Sequence, residues 1–282
     1  MKINLPQWLI LAAVISLIFV VPGCSIVYHH YPFKEKRDIR AIETRLQQAI
    51  SNSDQMKMKV VGQVTYNEQS LPVWLVTYSN STHPKYHAFV SAGIHGNEPA
   101  GVEAVVSLIE EISQYEKQLP LLQIEFMPLL NPWAWVRDLK WNGDATDVNR
   151  KFISMDTQES AIIKQVIDKQ RYDITIDLHE DGRYDGFYSL TYDNADMKSA
   201  TELASTIAQN GTPLREFKGN KGFIHVAREE FADLSLPTLA FYCRSHVTEK
   251  AYILETPFHS MFENRTALHK TGILYLIGET VK

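Results

Sequence analysis

Cysteine is almost missing from this chain: Cys24 and Cys243 are its only two. A disulfide framework therefore does not stabilise the fold, and Cys243 reads most simply as a small buried hydrophobe. An excess of basic residues is missing as well. The net charge of -5 supplies no basic face, which argues against nucleic acid as a partner. No internal repeat or low-complexity tract is visible. The apolar run of residues 8–21, broken only by Ser16, is short for a full bilayer span. What remains is ordinary globular composition. At 45% hydrophobic and 22% charged residues, the chain can build one large core or at most two small ones. No protein partner can be inferred from it.

Residues 1–24 stand apart. Lys2 precedes the apolar run, and Pro22, Gly23 and Cys24 follow it. A short basic start, an apolar stretch and small residues near its end read as an export signal. Val21-Pro22-Gly23-Cys24 is similar to a bacterial lipobox, whose cysteine is lipidated and becomes the mature N-terminus. An uncleaved membrane anchor and a soluble periplasmic product are the competing readings. The expected address is the bacterial cell envelope, facing the periplasm and held to the membrane by a lipid on Cys24 or by the anchor. Residues 25–37 then form a tether, and residues 38–282 a single folded domain.

Within that domain, Ile39, Ile42, Leu46 and Ile50 recur at helical spacing. Residues 60–66 and 73–78 are β-rich runs around a proline-containing turn, which predicts a hairpin. Further strands are expected over residues 87–93, 122–127, 173–178, 187–192, 238–242 and 251–255. Helices are expected over 98–115, 159–170, 197–210 and 258–277. Strands alternating with helices predict an α/β fold, a sheet covered by helices on both faces. Sites in such sheets gather beyond the carboxyl ends of strands.

The chemistry-bearing residues fall at such ends. In Ser91-Ala92-Gly93-Ile94-His95-Gly96-Asn97-Glu98-Pro99, two glycines allow a tight turn between a strand and a helix. His95 and Glu98 can face one metal ion across it. The spacing alone is cheap, because His246-Val-Thr-Glu249 repeats it beside Arg244 and Lys250, in what reads as a solvated loop. A zinc site that keeps one position open needs a third protein ligand. His179 follows the strand expected over 173–178, with Asp177 and Glu180 beside it to fix its tautomer. The stretch from Asn131 to Phe152 is too polar and punctuated for a regular element. It contains Asn149-Arg150, an amide and a guanidinium suited to a carboxylate, and it adds positive charge at Arg137 and Lys140. Glu255 ends an apolar strand, where partial desolvation raises a carboxyl pKa and suits it to proton transfer.

Together these pieces resemble the zinc carboxypeptidase family of the carboxypeptidase A and B type. They are His95 with Glu98, Asn131-Pro132 through Asp147-Val-Asn149-Arg150-Lys-Phe152, Asp177-Leu-His179 and Leu254-Glu255-Thr-Pro, in matching order. The Gly-Ile-His-Gly-Asn-Glu-Pro turn also looks like the succinylglutamate desuccinylase and aspartoacylase branch of the same fold. The resemblance implies a single three-layer α/β/α catalytic domain with a mixed, mostly parallel central sheet. It implies one zinc ion per chain on His95, Glu98 and His179, with Glu255 as general acid/base. It assigns Asn149 and Arg150 to the substrate's terminal carboxylate. The family's carbonyl-polarising arginine falls by spacing on Lys140, with Arg137 as the alternative. Its substrate-capping tyrosine has no clear match, and Tyr242 is the candidate. The implied reaction is hydrolysis of an amide bond next to a free carboxylate. A peptide, with cell-wall peptides among the candidates, is the expected substrate and an N-acyl amino acid the alternative; a non-catalytic zinc-binding envelope lipoprotein is the reading outside enzymes.

Overall fold

A computed structural model describes residues 37–192, 197–226 and 238–282. The chain divides into Met1–Tyr31 and Pro32–Lys282, and every described residue belongs to the second unit. The expected export signal with Cys24, and nearly all of the expected tether, lie outside the described residues. Among the described residues, no helix is long and apolar enough to cross a membrane.

The chain begins with helix α1 (Ile39–Ser51). A hairpin of β1 (Met56–Tyr66) and β2 (Gln69–Ser79) follows. Its two-residue turn is Asn67-Glu68, both at positive φ. The expected proline turn is therefore misplaced. Pro72 sits inside β2 opposite Gln63, and β4 pairs only with Val76–Ser79 of β2. Proline thus sits where β2 has no β4 partner, a place where a sheet tolerates it. Then come β3 (Tyr86–Ala92), α2 (Pro99–Glu111), β4 (Leu122–Met127) and the single-turn α3 (Pro132–Trp135). Next are α4 (Gln158–Ile167), β5 (Ile174–Asp181), β6 (Tyr188–Tyr192) and α5 (Met197–Gln209). A small hairpin, β7 (Glu216–Phe217) with β8 (Asn220–Lys221), leads into β9 (Phe223–Val226). The chain closes with α6 (Leu239–His246), β10 (Ala251–Pro257) and α7 (Phe262–Thr280).

Eight strands form one sheet in the order β1-β2-β4-β3-β5-β10-β6-β9. The pairs β3–β4, β3–β5, β5–β10 and β6–β9 are parallel, and β1–β2, β2–β4 and β6–β10 are antiparallel. Strand alternation sends neighbouring side chains to opposite faces. On β2, Trp74, Val76 and Tyr78 join one apolar cluster, with α1, α2, α5 and α7; Val73 and Leu75 join the other, with α4 and α6. The mixed three-layer α/β/α architecture is thus as expected.

Two elements differ from expectation near the site. Residues 238–242 are not a strand. Thr238 caps the N-terminus of α6 by accepting the Phe241 N–H, and its apolar residues cover the sheet face instead of extending it. β5 does not stop at Leu178 but runs through His179, Glu180 and Asp181, all buried. Polar residues there read as a strand end, yet each has a partner inside the fold.

On the far face from the site, Leu254 is fully buried, and a Cβ on Gly272 would stand 2.5 Å from its Cδ1. Helix α7 therefore approaches β10 closely through glycine. Leu254→Ala should destabilise the protein by about 2–5 kcal/mol, read as a lower urea midpoint with an unchanged slope.

Candidate active site

Gly93, at positive φ, turns the chain out of β3, and the Asn131 N–H donates to its carbonyl oxygen at 3.0 Å. The turn ends at Glu98, the N-cap position of α2, with Pro99 as the first helical residue. The Glu98 side chain does not cap its helix. One oxygen lies 2.7 Å from His95 Nδ1 and the other 2.9 Å from His179 Nδ1. The backbone N–H of Glu180 donates to that second oxygen at 3.1 Å. Ligand atoms of His95, Glu98 and His179 all lie within 4.8 Å of one another, and the three residues are buried.

The outer nitrogens of the two rings are also engaged. His95 Nε2 stands 3.1 Å from Asp147 Oδ1, and His179 Nε2 stands 3.0 Å from Asp177 Oδ2. Ser91 Oγ donates to the other Asp177 oxygen at 2.7 Å. A neutral imidazole has one donor and one acceptor. With Nε2–H given to the outer carboxylate, each Nδ1 offers a lone pair inward, where a cation fits. Two imidazoles and one carboxylate are a donor set for a divalent metal ion.

Charges follow the same logic. Burial opposes a charge on His95, but Glu98 and Asp147 outweigh it and raise its pKa. Burial likewise opposes a charge on His179, and Asp177 and Glu98 raise it well above the ordinary value. Burial would raise Glu98, but the two histidines hold it far below the usual carboxylate range. Asp147 falls to about 2, because His95, Lys140 and Arg150 outweigh its burial.

Glu255 pairs directly with His179 across β10 and β5, and with Tyr188 across β10 and β6. Directly paired residues share a face, so His179, Glu255 and Tyr188 form a row across three strands. Burial pushes Glu255 up to about 8; Glu98 and Asp181 add to this, and His179 and His95 oppose it.

The remaining expectations divide. Lys140 Nζ lies 3.5 Å from Asp147 Oδ2, one carboxylate away from His95. Arg137 is turned elsewhere: its guanidinium lies 4.1 Å over the Trp133 ring and donates to Trp133 O and Gln69 Oε1. Arg150 is exposed and donates to the Asn149 carbonyl at 2.9 Å. Asn149 is buried; its Oδ1 accepts the Leu239 N–H and its Nδ2 lies 3.2 Å from His179 Nε2. Its amide secures the loop to α6. Tyr242 is not brought to the cluster. Its hydroxyl meets Lys164 and Asp168, and its ring stacks on His246 at 4.2 Å. Glu180 also turns away, since alternation puts it on the opposite face from His179. It accepts the Ala100 N–H at 2.7 Å and pairs with buried Arg265. The decoy Glu249 is 76% exposed at its side chain and pairs with Arg171 and Arg244.

Asp147 and Tyr188 are the residues that sequence reading passed over. Asp147 carries a weak signal, an acid two residues before Asn149 that can cap a turn; its Oδ1 indeed accepts the Asn149 N–H at 3.0 Å. Tyr188 carries none, because its place beside Glu255 depends on strand order.

A mixed α/β sheet thus carries a buried cluster able to hold a metal ion beside a partly desolvated carboxyl. Residues 84–237 match the succinylglutamate desuccinylase/aspartoacylase catalytic domain. The chain belongs to that family. His95, Glu98, Asn149, Arg150 and His179 fall inside the match; Glu255 lies beyond it. Carboxypeptidase 2 of Trichophyton tonsurans is 28% identical over 104 residues, which cover 36% of this chain and 19% of the fungal protein. The chain spans about a fifth of the length of the curated relatives it matches. Among solved structures, a candidate metallopeptidase of Shewanella amazonensis SB2B superposes with a TM-score of 0.71 at 18% identity, covering 87% of this chain and 94% of that one. A metallo-carboxypeptidase of Pseudomonas aeruginosa, solved with (2-guanidinoethylmercapto)succinic acid, gives 0.68 at 16% identity, covering 86% and 70%. At these identities the structural likeness establishes the fold. A non-catalytic lipoprotein finds no support among them.

The metal-free protein should lose stability as pH rises. His95 and His179 have folded pKa values above the unfolded 6.5, and Glu255 has about 8 against 4.5 unfolded. The folded state therefore holds more protons than the unfolded one from about pH 5 to above pH 8, and stability falls through that window. Glu98, depressed, titrates below it. Thermal melts of chelator-treated protein from pH 5 to 9 should show a falling midpoint. A flat or rising midpoint would refute the charge assignment.

Proposed function

We propose that this chain is a zinc-dependent hydrolase that cleaves an amide bond next to a free carboxylate, acting on peptides as a carboxypeptidase. The observation that carries the reading is Glu255 in register with His179, beside the cluster His95, Glu98 and His179. Zinc bound there would act as a Lewis acid and lower the pKa of a water molecule from 15.7 toward about 7. Glu255 takes the proton of the attacking water on its carboxylate and later gives it to the leaving amine. Burial raises this carboxyl and a bound dication would lower it again, which favours proton transfer in both directions near neutral pH. Lys140, tethered by Asp147 at the edge of the cluster, places positive charge near negative charge developing on the carbonyl oxygen. Exposed Arg150 receives the substrate's free carboxylate through its planar guanidinium.

A second reading has its own support. The match over residues 84–237 is to succinylglutamate desuccinylase and aspartoacylase, which favours release of an acyl group from a small N-acyl amino acid. Both readings share the cluster, Glu255 and a free carboxylate on the substrate. They differ in what lies on the acyl side.

Glu255→Gln should lower kcat by about 10²–10⁴ while zinc content, measured by atomic absorption, stays at one ion per chain. Full activity in the zinc-loaded variant would remove Glu255 from the mechanism. A side-by-side screen of C-terminal peptides, muropeptides and N-acyl amino acids separates the two readings. The expected envelope address makes muropeptides an informative arm. The carboxypeptidase reading expects chelator-sensitive release of C-terminal residues. Hydrolysis of N-acyl amino acids alone would replace it with the deacylase, and no chelator-sensitive hydrolysis of any would overturn both.

A further inference from the structure

The turn that carries His95 and Glu98 rests on another loop, backbone to backbone. A Cβ on Gly96 would stand 2.2 Å from the Ala134 carbonyl carbon and 2.3 Å from the Trp135 nitrogen. Only glycine permits that approach. The joint brings two carbonyl oxygens, those of Gly96 and Trp135, toward one point. Two such oxygens repel and cannot bond each other. They are reconciled by a residue from a third segment. Arg37 Nη1 donates to Gly96 O and, at 3.0 Å, to Trp135 O. Its Nη2 pairs with Asp138 Oδ1 at 2.6 Å, and the guanidinium lies 4.6 Å over the Trp135 ring.

Arg37 is 8% exposed, an unusual burial for a guanidinium outside a network. The position was expected to belong to a tether, but its side chain is part of the folded domain. What it joins matters for the site. One side of the joint leads directly into His95 and Glu98. The other leads from Trp135 through Asp138 and Lys140 to Asp147, which meets His95 Nε2. The clamp thus closes a ring of contacts: Gly96, Arg37, Trp135, the loop to Asp147, and back to His95. Loosening it lets the turn and the outer carboxylate drift independently.

We infer that Arg37 is a positioning residue for the metal-binding turn, setting the geometry of His95 and Glu98 from a segment ahead of α1. It touches no reacting group, and the inference rests on the metal-centre reading given under Proposed function. Lysine does not replace it, because one ammonium lacks the planar fork that spans two carbonyls and a carboxylate.

The test uses the full chain as wild type, Arg37→Met and Arg37→Lys, checked for native circular dichroism. Zinc affinity is measured by competition with a chromophoric chelator. Amide hydrogen exchange of the metal-free proteins is followed in the turn from Gly93 to Glu98. Arg37→Met should bind zinc about tenfold more weakly, and its turn amides should exchange about tenfold faster while those of α7 are unchanged. Arg37→Lys should fall between. In a further variant, Arg37→Ala, added ethylguanidinium should raise zinc affinity, and it should leave the affinity of wild type unchanged. Wild-type zinc affinity in a folded Arg37→Met overturns the inference; if that variant does not fold, wild-type affinity in Arg37→Lys does so. Should the wild type itself fail to bind zinc, the metal reading falls, and the exchange rates alone decide whether Arg37 positions the turn.

Discussion

One carboxylate shared between two imidazoles organises this molecule. Glu98 faces His95 through one oxygen and His179 through the other, and these three residues come from a turn, a helix start and a central strand. Holding them together requires β3, β5 and α2 to keep their spacing within fractions of an ångström. The electrostatics show why a cation belongs there. Glu98, Asp147 and Asp177 bring three carboxylates to two imidazoles. With both rings neutral, that is an excess of negative charge in a desolvated place, which is costly unless compensated. Protons on the rings supply part of the compensation in the metal-free protein, and a dication supplies it directly. Metal binding and proton release are thereby coupled.

The same strand that presents His179 also anchors the opposite face. Alternation puts Asp177, His179 and Asp181 on the site face and Glu180 on the other, where it accepts the first N–H of α2 and pairs with Arg265 of α7. That buried pair is weak evidence for stability in itself, since desolvating both ions offsets their attraction. Its consequence is geometric. It ties α7 and α2 to the residue next to His179, so the helix layer behind the sheet shares a fixed reference with the site in front. Register does the rest: pairing of β10 with β5 and β6 sets Glu255 between His179 and Tyr188.

How much of this was legible in the sequence depends on the range of the interaction. His95 and Glu98 could be read because Gly93, Gly96 and Pro99 announce a strand, a turn and a helix within a few residues. The α/β alternation could be read because periodicity is local. Glu180 could not be assigned, because whether an acid beside a ligand serves that ligand depends on where the strand ends. The strand runs on to Asp181, one residue past Glu180. Residues 238–242 misled for a related reason. Their aromatic and apolar run fits a strand, yet Thr238 caps a helix whose apolar side covers the sheet. On that helix, Tyr242 turns its hydroxyl to Lys164 of α4 and to Asp168. Arg37 was invisible for the plainest reason: nothing near it in sequence resembles the turn it holds.

The two candidate cations, Lys140 and Arg137, show how local and distant constraints combine. Sequence spacing left Lys140 and Arg137 both open. Arg137 is withdrawn by its neighbours: Trp133 under its guanidinium and Gln69 on the β2 hairpin fix it against the loop's outer side. Lys140 remains, with its ammonium near one oxygen of Asp147 while the other oxygen faces His95. A single carboxylate therefore positions both a metal-binding histidine and a mobile positive charge. Lysine offers a point charge on a flexible stem where a guanidinium would offer a rigid fork. Asp147 compensates for part of that difference, because it limits where the ammonium can stand relative to the cluster. Whatever displaces Asp147 disturbs the histidine and the cation together, and so the loop from Pro132 to Asp147 acts on the site as one unit.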